Sequence, residues 1–167
     1  PEITARFERF LTWVTSRTHA LYILGDFFHV WAGDDTFDAW SNAIAAQLAH
    51  VSAQGVRVYF MRGNRDFLVG RAFATRAQLT LLDEPKVIEL GGERVVLVHG
   101  DAYCTQDKAH QWFRRLTRNR WFSTCFLAVP KWLRVWLVTR VRMHSATNPR
   151  KQPVMMDVVP ASLTRHL

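Results

Sequence analysis

The chain is short of almost everything that would mark a secreted or membrane-spanning protein. It holds two cysteines, Cys104 and Cys125, in 167 residues. That makes neither a disulfide framework nor a zinc-binding spacing, and free thiols in a reducing compartment are the plain reading. Apolar runs are short, as in Val95-Val96-Leu97-Val98, far below the roughly 20 residues of a spanning helix. No charged-then-apolar leader opens the sequence. Internal repeats and low-complexity stretches are also missing, and a 49% hydrophobic, 22% charged composition is that of an ordinary globular domain rather than a disordered chain.

One further absence is local. Residues 108–151 contain no Asp or Glu, yet they carry half of the chain's 22 Lys and Arg and four of its seven tryptophans: Trp112, Trp121, Trp132 and Trp136. Cations interleaved with Trp, Phe and Leu at helical spacing describe an amphipathic surface for an anionic partner. Nucleic acid, an anionic membrane and a phosphate-bearing lipid all fit that description. So does a solvated basic face around a helical core.

Along the chain, strands and helices alternate. The pattern predicts a helix over 3–17 with Phe7, Phe10, Leu11 and Val14 on one stripe, a strand at 20–24, a helix over 38–53 and a strand at 56–61. A helix over 67–77, a strand at 79–82 and a hairpin of 86–90 with 94–99 across Gly91-Gly92 follow. The basic segment reads as two or three helices broken near Pro130, the last ending at Asn148-Pro149. The fold class is therefore α/β, a sheet layered with helices, with the basic helices inserted as a cap.

Three apolar strands end in polar turns containing glycine: Gly25-Asp26, Gly63-Asn64 and His99-Gly100-Asp101. Ligands of α/β folds gather at the carboxyl ends of strands. If these strands are neighbours, Asp26, Asn64 and His99 converge into a hard oxygen and nitrogen donor set suited to manganese, magnesium, iron or zinc. A carboxylate can bridge two such ions, and an ion pair can clamp a phosphoryl group. Each residue alone has a plainer role as turn, cap or structural histidine.

Together these turns, with Gly63-Asn64-Arg65-Asp66-Phe67-Leu68, Trp31-Ala32-Gly33-Asp34-Asp35, Cys104-Thr105-Gln106-Asp107 and Met156-Asp157-Val158, resemble the calcineurin-like metallophosphoesterases. Within them they resemble the lipid A-pathway diphosphatases of Gram-negative bacteria. The resemblance implies a two-metal centre, typically manganese, that cleaves the pyrophosphate of UDP-2,3-diacylglucosamine to UMP and 2,3-diacylglucosamine 1-phosphate (lipid X). It implies Asp26 as bridging carboxylate, Asn64 and His99 as ligands of the second ion, and Arg65 beside the phosphates, where an ion pair with Asp66 is the plainer reading. It places Asp107, Ser145, Asn148 and Lys151 at the nucleotide and sugar. Residues 1–106 and 152–167 would form the metallophosphoesterase core and 107–151 a helical lid, with Trp112, Phe113, Leu116, Trp132 and Leu133 either lining an acyl tunnel or packing a core. The protein would be cytoplasmic, peripheral on the inner membrane.

The family also opens with Asp-x-His and closes with Gly-His-x-His. Neither pattern occurs between Pro1-Glu2-Ile3 and Arg165-His166-Leu167, so the resemblance implies a chain truncated at both ends and inactive by itself. His29 stands where relatives place an acidic residue, and reads as a loop histidine close enough to tune the site. A metallophosphoesterase of soluble nucleotides or phosphodiesters, and a basic module that binds membrane or nucleic acid without catalysis, are the alternatives.

Overall fold

The computed structural model describes residues 2–101 and 108–146. α1 (Glu2–Arg17) buries Leu11 and Val14 and rests Phe7 against the same cluster. Phe10, expected on that stripe, is exposed and stacks on Trp13 at 6.2 Å. Thr18 ends the helix by bonding the Val14 carbonyl with both its N–H and its hydroxyl, and the chain enters β1 (Ala20–Leu24). α2 (Ala39–Ala53) starts at a capping box: the Asp38 carboxylate accepts the Ser41 N–H at 2.7 Å, and the Asp38 N–H donates back to Ser41 Oγ at 2.9 Å. It stops before Gly55, whose φ of +89° is the left-handed turn that releases the last carbonyls.

β2 (Arg57–Met61) then runs parallel to β1, with Tyr22 opposite Tyr59. A second crossover through α3 (Arg71–Arg76) delivers β3 (Thr80–Leu82), parallel to β2 on its far side. The sheet order is β1-β2-β3. Parallel pairs need such helical crossovers, and the core lies where they pack. Val58, Phe60, Leu48, Val51, Phe28 and Phe73 are all buried there. Each large aromatic in such a core is worth about 3–5 kcal/mol against alanine. β4 (Lys86–Leu90) and β5 (Glu93–Leu97) form a separate antiparallel hairpin whose turn, Gly91-Gly92, has φ of +63° and +86°. Only glycine takes two such residues at no steric cost.

The basic segment folds as α4 (Lys108–Thr117), α5 (Arg120–Leu127) and α6 (Lys131–Ala146), and the break falls at Pro130 as the sequence predicts. Its cations are not all on the surface. Arg134 is 3% exposed and donates to the carbonyls of Ala32 and Val129 and to both oxygens of Asp35. Arg114 and Arg118 reach Glu84 and Asp101, both deeply buried. An arginine out of water has to be paired in this way. Three members of the apparent basic face are therefore internal anchors that tie the helices to the sheet.

Candidate metal centre

β1 ends in two consecutive left-handed residues, Gly25 at φ +86° and Asp26 at φ +54°. Aspartate is among the few side chains that accept this region. The turn swings Asp26 against the loop after β2. A Cβ on Gly63 would sit 2.5 Å from Asp26 Oδ1, and one on Gly25 would sit 2.6 Å from His99 Nδ1 and 2.7 Å from the Gly63 Cα. Glycine is required at both places because the three turns interlock. The Arg65 N–H donates to Asp26 Oδ1 at 2.9 Å, and Arg65 Nε lies 3.3 Å from Asp26 Oδ2. Arg65 thus pairs with Asp26, not with Asp66 as the plainer reading had it.

His99 arrives by a different route from the one the sequence implies. β5 stops at Leu97 and shares no sheet with β1 and β2, so His99 is a loop residue rather than a strand end. Convergence does not need strand pairing, because the ring itself makes the contact: Nδ1 lies 2.7 Å from the Leu24 carbonyl. A carbonyl only accepts, so Nδ1 carries a proton, and in the neutral ring Nε2 is the nitrogen with a lone pair to offer. Nε2 is 3.8 Å from Asp26 Oδ1, too far for a hydrogen bond but within the span of two donors sharing one ion at about 2.1 Å each. The Asn64 side-chain oxygen, between Gly63 and Arg65 in the turn that meets Asp26, is withdrawn from solvent. An imidazole oriented by a backbone carbonyl, a carboxylate and an amide oxygen fit a divalent cation. Among the described residues no three His, Cys, Asp or Glu side chains form a metal cage by themselves.

A fourth residue closes the cluster. Asp66 is fully buried; its Oδ2 accepts the N–H groups of Phe27 at 2.8 Å and Phe28 at 3.3 Å, and its Oδ1 accepts that of Gly63 at 2.6 Å. One carboxylate thereby clips the loop after β1 to the loop after β2. Burial pushes its pKa up, the three N–H donors pull it down, and the charge of Asp26 adds to the rise.

The model of the calcineurin-like phosphoesterase family matches residues 2–151. The chain belongs to that family. A UDP-2,3-diacylglucosamine hydrolase from Aeromonas hydrophila is 46% identical over the whole chain and 70% of its own length. Proteins of the same name from Shigella dysenteriae and Escherichia coli O1:K1 are 46% and 45% identical, over 95% of this chain and 66% of theirs. The chain thus spans about two thirds of the length of the curated relatives it matches. The family is one of metal-dependent hydrolases, so divalent ions are implied and the donors above are where this phosphoesterase chain would hold one.

The remaining sequence-predicted residues of the phosphoesterase are unevenly placed. Asp107, Asn148 and Lys151 lie outside the described residues, and Ser145 is within α6, its side chain also outside them. His29 is an exposed loop residue. Trp112 and Trp132 are exposed, and Leu116 and Leu133 half-buried, so the two tryptophans do not pack a core. Sequence reasoning missed Asp66 and also Arg142. Arg142, on the α6 face that carries Arg134 two turns earlier, feels the charges of both Arg65 and Asp26. Burial holds its pKa below the usual value, Arg65 lowers it further and Asp26 opposes. The Gly-Asn-Arg-Asp spacing offers a signal for Asp66, since an aspartate three residues on can cap the glycine N–H of its own turn. Nothing local marks Arg142.

Proposed function

We propose that the protein carrying this chain hydrolyses the pyrophosphate of UDP-2,3-diacylglucosamine, releasing UMP and 2,3-diacylglucosamine 1-phosphate, with two manganese ions. The observation that carries the reading is the interlock of Gly25, Asp26, Gly63 and His99, which brings Asp26 and His99 together against the turn that carries Asn64. Relatives at 45–46% identity bear the name of that hydrolase. Asp26, Asn64 and His99 are the residues that would hold the second ion, and Asp26 would also serve the first. When bound, divalent ions supply Lewis acidity and a more acidic water. The chain's own residues orient the reaction: Leu24 fixes the imidazole tautomer, and Asp66 locks the loops. Arg65, its side chain 40% exposed, keeps guanidinium donors within reach of a phosphate, where they offset charge developing at phosphorus.

Residues 107–151 act as a lid on a core formed by 1–106 and 152–167, with Asp107, Ser145, Asn148 and Lys151 at the nucleotide and sugar. The exposed tryptophans of this segment are the feature a soluble substrate does not require. With the surface cations Arg115, Lys131 and Arg140, they suit the anionic cytoplasmic face of a Gram-negative inner membrane. Among the described residues no helix is long and apolar enough to cross a membrane.

The reading is tested by Asn64→Ala and His99→Ala. Each should cut manganese-dependent cleavage by more than the roughly 10–100-fold that the outer partners of a metal ligand are worth. Turnover like the wild type by either variant refutes the assignment, and a water-soluble pyrophosphate cleaved as fast as the detergent-dispersed diacyl substrate refutes the lipid specificity.

A further inference from the structure

Among the described residues, a buried charge cluster lies between the third turn and α4. The Glu84 side chain is 3% exposed, and both its oxygens are used. Oε1 accepts the His99 N–H at 2.7 Å, while Oε2 meets Arg118 at 2.9 Å and Arg114 at 3.3 Å. Arg114 also binds Asp101 at 3.0 Å, two residues beyond His99. Arg118 donates in addition to the Arg62 carbonyl at 3.0 Å, immediately before Gly63-Asn64. A carboxylate this far from water is stable only with its cations in place, and these come from α4 (Arg114) and from the turn that ends it (Arg118). A helix anchor with no bearing on the site could end on any part of the hairpin. This one ends on the main chain of His99 and one peptide unit short of the Gly63-Asn64 turn, so it braces two of the three donors from a helix distant in sequence.

We infer that Glu84 is a positioning residue, and that Arg118, through Glu84 and through the Arg62 carbonyl, places His99 and Asn64 so that the seating of α4 sets how tightly they hold a divalent cation. The inference rests on the metal reading proposed above. It makes the basic helices part of the metal site's support as well as a cover.

The test uses the protein carrying this chain as wild type, Glu84→Gln, Arg118→Ala and Arg118→Lys. Manganese is titrated into metal-free protein and followed by electron paramagnetic resonance. Hydrogen exchange at the His99 amide is measured on the same metal-free samples, and thermal melting reports stability. Glu84→Gln and Arg118→Ala should weaken manganese binding about tenfold and speed exchange at His99, with Arg118→Lys recovering part of both losses. Variants that melt earlier but bind manganese and protect the His99 amide as the wild type does would overturn the inference. If Glu84→Gln does not fold, the Arg118 pair carries the same comparison, because Arg114 still neutralises Glu84 there. Failure of the parent reading shows differently: a wild type that binds no manganese overturns both, whereas a wild type that cleaves the lipid diphosphate with affinity unmoved by Arg118→Ala overturns this inference alone.

Discussion

The cluster at the strand ends and the basic helices are held by opposite means. In the cluster the contacts run through the main chain: two glycines with no room for a Cβ, a left-handed aspartate, and a short buried carboxylate collecting three backbone N–H groups. The helices reach the sheet through long side chains, with Arg114, Arg118 and Arg134 as the anchors and large aromatics left outside. Backbone contacts fix donors to a fraction of an ångström, as metal ligation demands. Ion pairs at the tips of flexible side chains hold a cover that can loosen at its Arg134 end without dismantling the strands, while its Arg118 end reaches the loop of His99 through Glu84.

The largest break is expected at Gly63. Gly63→Ala drives a methyl against Asp26 Oδ1, so the two loops must part. Overpacking of this kind costs about 1–3 kcal/mol, and manganese affinity and turnover should fall together by orders of magnitude. Gly55→Ala is the control. It strains a residue at φ +89° with nothing within 4 Å of the new methyl, costing about 1–2 kcal/mol of stability while turnover per folded molecule stays at the wild-type level. Equal losses of turnover in the two variants would mean that the glycine contacts at the site have no special role.

Acid should separate the two regions. Hydrogen bonding from Arg134 holds the Asp35 carboxyl below its ordinary 3.8. Its contribution is therefore complete above the unfolded value and is lost as pH falls through the lower folded one. Asp66 has the reverse sign: burial raises its pKa, so its effect favours the fold at low pH and is lost as pH rises through the folded value. On acidification below about pH 4, α6 should come loose before the strand-end cluster does. The Asp35 side chain is 53% exposed, so solvent limits the pair to about 1 kcal/mol. Proteolysis at α6 should speed up below pH 4 and, in Asp35→Asn, already at neutral pH, with β1 and β2 still protected. Simultaneous loss of protection in both regions would erase the distinction.

How far each region could be read from sequence follows the same division. The strands at 20–24 and 86–90, the glycine hairpin and the Pro130 break are local signals, and they stand where expected. Asp26, Asn64 and His99 stand out as candidates in the sequence because each sits in a punctuated turn. Where burial continues past an element, the pattern misleads. Leu68 and Val69 are buried in a loop, and α3 begins only at Arg71, capped by Asp34, which accepts the N–H groups of Gly70 and Phe73 at 2.9 Å. Val98 likewise extends the apolar run beyond the end of β5. The long-range partners of the anchors have no local signal. Glu84 serves a residue 15 positions away, Asp66 residues 38 and 39 away, and Arg134 a partner 99 away. A run of arginines reads as surface until the carboxylates that receive three of them are located.

The smallest effect on the fold is expected at the tryptophans, and it sharpens the contrast most. Trp121 is 79% and Trp132 72% exposed, so replacing them with serine removes little packing. Trp121→Ser and Trp132→Ser should each shift stability by less than about 0.5 kcal/mol and leave the manganese affinity of the strand-end cluster as it was. Binding to vesicles containing phosphatidylglycerol should nevertheless fall severalfold, because an indole at the headgroup level supplies apolar area that serine cannot. Raising salt should weaken the remaining attachment through Arg115, Lys131 and Arg140. Retention of vesicle binding in the double variant would remove the membrane from the account of these helices. Their tryptophans would then have to be explained by the acyl chains of the substrate, and turnover of the diacyl substrate, measured on the same variant, would fall instead.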